Sequence, residues 1–293
     1  RRLPAVDVQK PRHYTLTVSC PDAVGLVAAV SNLIVSWGGW LTEVANHADR
    51  VAGRFFMRNE VAADSLSFGI EEFRERFTPL AQKHRMRFEV HDSAVPRRVM
   101  ILVSRQEHCL ADLLHRWRTE ELPFNLRGVI SNHDQLQSYV EWHDVPFHHI
   151  PVSPESKAAA FDSIGSLLTE ESVDLVVLAR YMQILPPELC ARYEGRIVNI
   201  HHSFLPSFAG GRPYAQAYAR GVKLVGATSH FVTADLDQGP IIEQDVVRVS
   251  HADTASDMVR LGRDVEKTVL ARAVRYVLED RVIVYGNKTV VLA

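Results

Sequence analysis

Cysteine is scarce. The chain has 3 cysteines in 293 residues, Cys20, Cys109 and Cys190, an odd number set far apart. With no CxxC pair and no metal-ligand spacing, they suggest neither a disulfide framework nor a zinc site. A reducing compartment suits such a chain, and the cytoplasm is the expectation. Long apolar runs are also missing. No stretch reaches the roughly 18 residues of a membrane span, and the charged opening Arg1 to Val8 has no apolar run behind it. An excess of one charge is absent too: 33 basic and 35 acidic side chains leave a formal net charge of −2. Neither a phosphate-neutralising surface nor an acidic tail is implied, so neither nucleic acid nor membrane is an expected partner. What remains is a globular composition in a chain long enough for two cores.

The polar, Pro-containing segment HDSAVPRR, from His91 to Arg98, lies between two strand-like runs and marks a boundary. The division predicted is a module over residues 11–91, a linker over 92–98 and a larger domain over 99–293. In the module, HYTLTVS from His13 alternates as a half-buried strand does, and VGLVAAVSNLIVSW has a helical period closed by Gly38-Gly39. Trp40 to His47 and Arg54 to Val61 read as strands, Gly69 to His84 as an amphipathic helix and Met86 to Val90 as a last strand. The order is βαββαβ, the ferredoxin-like motif.

With the turn Cys20-Pro21-Asp22-Ala23-Val24-Gly25 after its first strand, the module resembles an ACT domain. That resemblance implies self-association and a small amino acid bound near Asp22 and Gly25. Read from the residues alone, the module is equally a dimerisation scaffold in which Asp22 caps the helix.

From Val99 the pattern changes to strands alternating with helices: VMILVS, LRGVIS, FHHI, VDLVVLA and RIVNI, with helical stretches at Cys109 to Arg118, His133 to Trp142 and Ser156 to Glu171. Several strands are apolar without alternation, as buried parallel strands are. The prediction is an α/β fold, an open, mostly parallel, Rossmann-like sheet with helices on both faces, binding its ligand beyond the carboxyl ends of the strands.

Asn199 and His201 fall at the end of RIVNI, two apart on extended chain, so they project to one side and His202 to the other. The stretch Ala209-Gly210-Gly211 that follows reads as a loop a ligand can approach. Gly226 to Thr233 reads as a further strand, and Asp237 sits in the turn after it, where Gly239 is expected to supply a backbone angle barred to other residues. Asn, Asp and His could give an oxyanion donor, a base and an acid for acyl transfer or hydrolysis. The same residues also fit a capped turn and a partly buried histidine, and His230, among apolar neighbours, reads as structural.

The strings VNIHHSFLP and GATSHFVTADLDQGPII, with VLARYMQIL and the terminal VIVYGNKTVVL, resemble the folate-dependent formyl transferase family. Within it they resemble the formyltetrahydrofolate deformylases, which carry an ACT domain in front. The likeness spans essentially the whole chain. It implies hydrolysis of 10-formyltetrahydrofolate to formate and tetrahydrofolate, in service of purine biosynthesis, with Asn199, His201 and Asp237 catalytic. The folate would lie against Tyr181, Met182, Gln183, Ile184 and Leu185 and against Thr233, Ala234, Asp235 and Leu236. No metal and no cofactor beyond the folate is implied. Glycine or methionine is the implied effector, and a homo-oligomer, dimer or tetramer, the implied assembly. One departure is Ala215, where the family pattern commonly has His.

Relatives that formylate a phosphorylated amine hold phosphate on a Gly-rich turn after the first strand of this fold. Here VMILVS runs into Arg105-Gln106-Glu107-His108, with no glycine and a repelling carboxylate. Water is the acceptor that remains.

Overall fold

A computed structural model describes residues 11–207 and 213–293. These form two compact units, one ending at Val95 and joined by Val290–Ala293, the other covering Pro96–Thr289. The expected approach loop at Ala209-Gly210-Gly211 lies outside the described residues.

The first unit consists of β1 (His13–Pro21), α1 (Leu26–Ser36), β2 (Leu41–Asp49), β3 (Arg54–Ala62), α2 (Ile70–His84) and β4 (Arg87–Asp92). Its antiparallel sheet has the order β2-β3-β1-β4, the ferredoxin-like arrangement. Alternate residues of β1, Tyr14, Leu16, Val18 and Cys20, meet Leu26, Val30 and Ile34 of α1 and Phe73, Phe77 and Ala81 of α2 in one core. Gly25 starts α1 at φ 89, a conformation that glycine adopts without a Cβ penalty. Asp22 does not cap this helix: no side chain bonds its N-terminus, and the exposed Asp22 instead donates its backbone N–H to the Gly53 carbonyl at 2.9 Å.

The second unit is built on β5 (Arg98–Val103), β6 (Asn125–Ser131), β7 (Phe147–His149), β8 (Leu175–Leu178), β9 (Ile197–His201), β10 (Leu224–Phe231) and β11 (Ile241–Arg248). Helices α3 (His108–Arg118), α4 (Gln137–Glu141), α5 (Lys157–Glu170), α6 (Pro187–Arg192), α7 (Pro213–Arg220) and α8 (Ala255–Leu278) connect and cover them, and β12 (Val282–Tyr285) and β13 (Lys288–Val291) close the chain as a two-stranded sheet. The sheet order is β11-β10-β9-β8-β5-β6-β7, with β9 to β7 parallel and β10 antiparallel to both neighbours.

Strand periodicity divides the core in two. Val99, Ile101 and Val103 of β5 and Leu175 and Val177 of β8 pack with α3 and α8. Met100, Leu102, Val176 and Leu178 face the other way, towards α5 and α6. The runs without alternation are thus strands buried on both faces, as their sequence indicates.

The helix expected over His133 to Trp142 shrinks to α4. Its first residues are drawn into a turn: the Ser104 hydroxyl donates to Asn132 Oδ1 at 2.7 Å, and the His133 N–H to Ser131 Oγ at 3.1 Å. The longest helix, α8, has no counterpart in the sequence-based alternation. Among the described residues no helix is long and apolar enough to cross a membrane.

α8 begins with a capping box in which Thr254 and Asp257 satisfy each other's backbone N–H. Because Thr254 is exposed, its replacement tests the cap rather than packing. Thr254→Ala is expected to lower stability by about 1 kcal/mol, read from the urea midpoint, and Thr254→Ser to restore most of it.

Candidate active site

Leu178 of β8 lies opposite Asn199 of β9 in the parallel register, so the two strands leave the sheet side by side. On β9, Val198 and Ile200 face the α3/α8 core, while Ile197 faces α5 and α6. Asn199 and His201 share the parity of Ile197 and therefore point to the α5/α6 face.

Antiparallel β10 brings His230 opposite Asn199. His230 Nδ1 is 2.8 Å from the Phe231 carbonyl oxygen, which can only accept, so Nδ1 carries the proton. Nε2, 3.2 Å from Asn199 Nδ2, then accepts from that amide and sets its orientation. Burial lowers the proton affinity of His230, consistent with this neutral form. His230 thus sits against Asn199 and orients its amide. The available signal was Thr228-Ser229-His230, a polar run inside a buried strand.

Beyond β10 the chain folds back. The Val232 N–H bonds the Ile197 carbonyl and the Phe231 N–H bonds the Pro240 carbonyl, both at 2.9 Å. The loop between them places Asp237 Oδ1 3.3 Å from His201 Nδ1 and 3.7 Å from His230 Nε2. A hydrogen bond from His201 holds the Asp237 carboxyl below its usual range, outweighing burial, which acts the other way. Asp237 is therefore the ionised partner at neutral pH. His201 is buried, and its Nε2 has no hydrogen-bond partner among the described residues.

The role expected of Gly239 needs correction. The left-handed residue in the turn is Asp237 itself, at φ 56. Gly239 is required for a different reason: a Cβ there would sit 1.7 Å from the Phe231 carbonyl oxygen. The glycine is pressed flat against the strand end.

At the end of β8, Arg180 is left-handed, at φ 65. Continued alternation would send Arg180 to the α5/α6 face and Tyr181 to the other; the turn reverses both. Tyr181 and Leu185 pack on the α5/α6 face, the face of Asn199 and His201. Ser104 pins this segment, its N–H donating to the Arg180 carbonyl at 3.2 Å and its hydroxyl accepting from the Met182 N–H at 2.9 Å. Strand order reverses here, between β5 and β8, the point where open α/β sheets bind ligands. Met182 and Ile184 are 58% and 54% exposed, leaving apolar surface beside a pinned backbone, and Gln183 is half-buried. Of the second expected ligand segment, the Thr233 hydroxyl donates to the Asp235 carbonyl, while Ala234, Asp235 and Leu236 are exposed.

A second polar cluster lies on the α3/α8 side. Glu266 Oε2 is 2.7 Å from His108 Nε2 and 3.5 Å from Arg180 Nε, and Glu266 Oε1 accepts from the Tyr214 hydroxyl at 2.7 Å. The His202 ring is 6.3 Å from that of Tyr214. His108, Cys109 and Glu266 have metal-ligand spacing, but burial holds the Cys109 thiol protonated and the Glu266 oxygens are already engaged. One sign of this cluster was readable: Glu266 continues the stripe Met258, Gly262 and Leu270 on α8, where an apolar residue is expected. Ala215 is exposed on α7, next to the buried Tyr214, and Arg105 is tied to His133.

Comparison with known proteins gives this geometry its family. The model of the formyl transferase family matches residues 97–274. The formyltetrahydrofolate deformylase of Corynebacterium sp. is 44% identical over 279 residues, covering 95% of this chain and 98% of that protein. The Bacillus subtilis protein of the same name is 45% identical, covering 94% and 92%. The crystal structure of a formyltetrahydrofolate deformylase from Pseudomonas syringae pv. tomato superposes with a TM-score of 0.96 at 56% identity, covering 98% of this chain and 96% of that one. The chain belongs to the formyltetrahydrofolate deformylase family. In this deformylase-family chain Asn199, His201 and Asp237 all fall within the span matched by the family model.

Burial, reinforced by the charge of Arg180, lowers the His202 pKa from 6.5 to about 4. Between those values the unfolded chain binds a proton that the folded chain refuses, so folding stability falls as pH drops from 6.5 towards 4. Urea midpoints measured across this range are expected to decline in the wild type and to decline less in His202→Gln.

Proposed function

We propose that the chain hydrolyses 10-formyltetrahydrofolate to formate and tetrahydrofolate. The observation that carries the reading is the pairing of an ionised Asp237 with His201 Nδ1, which leaves His201 Nε2 for a substrate, on the sheet face that holds Tyr181 and Leu185.

Asp237 takes a proton from water as the water oxygen attacks the formyl carbon. The carbonyl oxygen becomes an oxyanion, stabilised by the Asn199 amide N–H and by His201 Nε2–H. The carbon–nitrogen bond then breaks, its electron pair stays on nitrogen, and His201 supplies that nitrogen's proton. The carbonyl re-forms as the bond breaks, giving formic acid, which passes its hydroxyl proton to solvent and leaves as formate, while Asp237 returns the first proton to His201. Every step is carried by this chain's own side chains, so the reading calls for no metal.

Water is favoured over an amine because the loop after β5 contains no glycine and the first residue of α3, His108, is committed to Glu266. The pterin ring is assigned to Tyr181, Met182, Gln183, Ile184 and Leu185 and to the loop from Thr233 to Leu236. The first unit is read as an ACT domain that mediates self-association and takes glycine or methionine near Gly25. The setting is cytoplasmic one-carbon metabolism, with the formate serving purine biosynthesis.

Purified protein given 10-formyltetrahydrofolate alone is expected to release formate with no amine present. Asn199→Ala should reduce turnover by about 10²–10³-fold, the usual cost of removing an oxyanion donor. Normal formate release by Asp237→Ala would overturn the assignment.

A further inference from the structure

We infer that Arg180 forms an anion subsite that receives the formate ion as it leaves the catalytic centre, on the sheet face opposite the folate. The inference rests on the proposed hydrolysis for the identity of the anion.

Position is the first support. Leu178 and Asn199 are register partners on neighbouring parallel strands, so Arg180 and His201, each two residues further on, both lie at the carboxyl end of the sheet. The left-handed turn at Arg180 then directs its guanidinium towards Glu266 of α8, away from the Tyr181 face. The His202 ring lies 5.3 Å from that of His201 and 6.3 Å from that of Tyr214, which bonds Glu266.

The second support is unmet bonding. Arg180 is 7% exposed, and its Nε and Nη1 have no hydrogen-bond partner among the described residues. A buried guanidinium is costly unless its fork is filled, and a carboxylate fills it best. Glu266 does not do so. Its oxygens accept from His108 and Tyr214, and its nearest approach to Arg180 Nε is 3.5 Å. At His202 the charge of Arg180 opposes protonation more strongly than the charge of Glu266 favours it.

Formate is small, planar and anionic, and its carboxylate matches the fork of a guanidinium. The arrangement separates the products: tetrahydrofolate stays on the Tyr181 face while formate crosses the edge to the guanidinium.

The test is thermal shift of the full chain in sodium formate against sodium chloride at equal ionic strength, with formate product inhibition measured in parallel. Wild type is expected to show an upward shift specific to formate. Arg180→Met should abolish it, and Arg180→Lys, which keeps the charge but not the fork, should weaken formate binding about ten- to a hundredfold. If Arg180→Met does not fold, Arg180→Lys decides alone. Equal shifts in formate and chloride for wild type, or wild-type formate affinity in either variant, would overturn the subsite. Because this readout needs no turnover, its failure is distinct from failure of the hydrolase reading, which the wild-type formate assay tests separately.

Discussion

A single backbone reversal at Arg180 organises the catalytic unit. Strands β8 and β9 run parallel and in register, and their alternation would otherwise place successive side chains by parity alone. By turning left-handed, Arg180 exchanges the two faces just where the sheet ends, so that Tyr181 joins Asn199 and His201 while a cation goes to the α8 side. A non-glycine residue pays about 1 kcal/mol for that conformation. The surrounding bonds over-determine it: Ser104 grips the segment through two backbone groups, and Ala179 remains laddered to Leu102.

The charges follow from where the hydrogen bonds fall. Burial alone would neutralise Asp237, but the bond from His201 reverses the direction. For His230 and His202 no partner is strong enough, and burial wins. Three histidines close in space therefore do different work. His201 serves the carboxylate, His230 orients an amide through its lone pair, and His202 is a neutral spacer between the site and the Arg180–Glu266 cluster.

Much of this was legible in the chain. Asn199 and His201 at the end of an apolar strand, and Asp237 in the turn after a later strand, stood out in the sequence and meet in the structure, and period-two reasoning put the first two on a common face. The βαββαβ order and the parallel sheet were readable because their strands have clean punctuation. What escaped was contact between distant segments. Glu266 meets His108 and Tyr214 across 158 and 52 residues, and no local pattern announces such a meeting. The role of His230 depended on a ring nitrogen committed to a neighbouring carbonyl, which only coordinates reveal. Gly239 illustrates a subtler failure: the residue type was noticed, but the turn needed its lack of a Cβ for contact rather than for conformation.

The flat seating of Gly239 on the Phe231 carbonyl separates two tasks within one loop. The position of the Asp237 carboxylate is set by backbone, through the strand end at Phe231 and Pro240, with the Thr233 hydroxyl bracing the loop at the Asp235 carbonyl. The side chains of Ala234, Asp235 and Leu236 stand exposed on the same loop, so they can change while Asp237 stays beside His201. One short loop thus combines a fixed carboxylate with a freely variable outer surface.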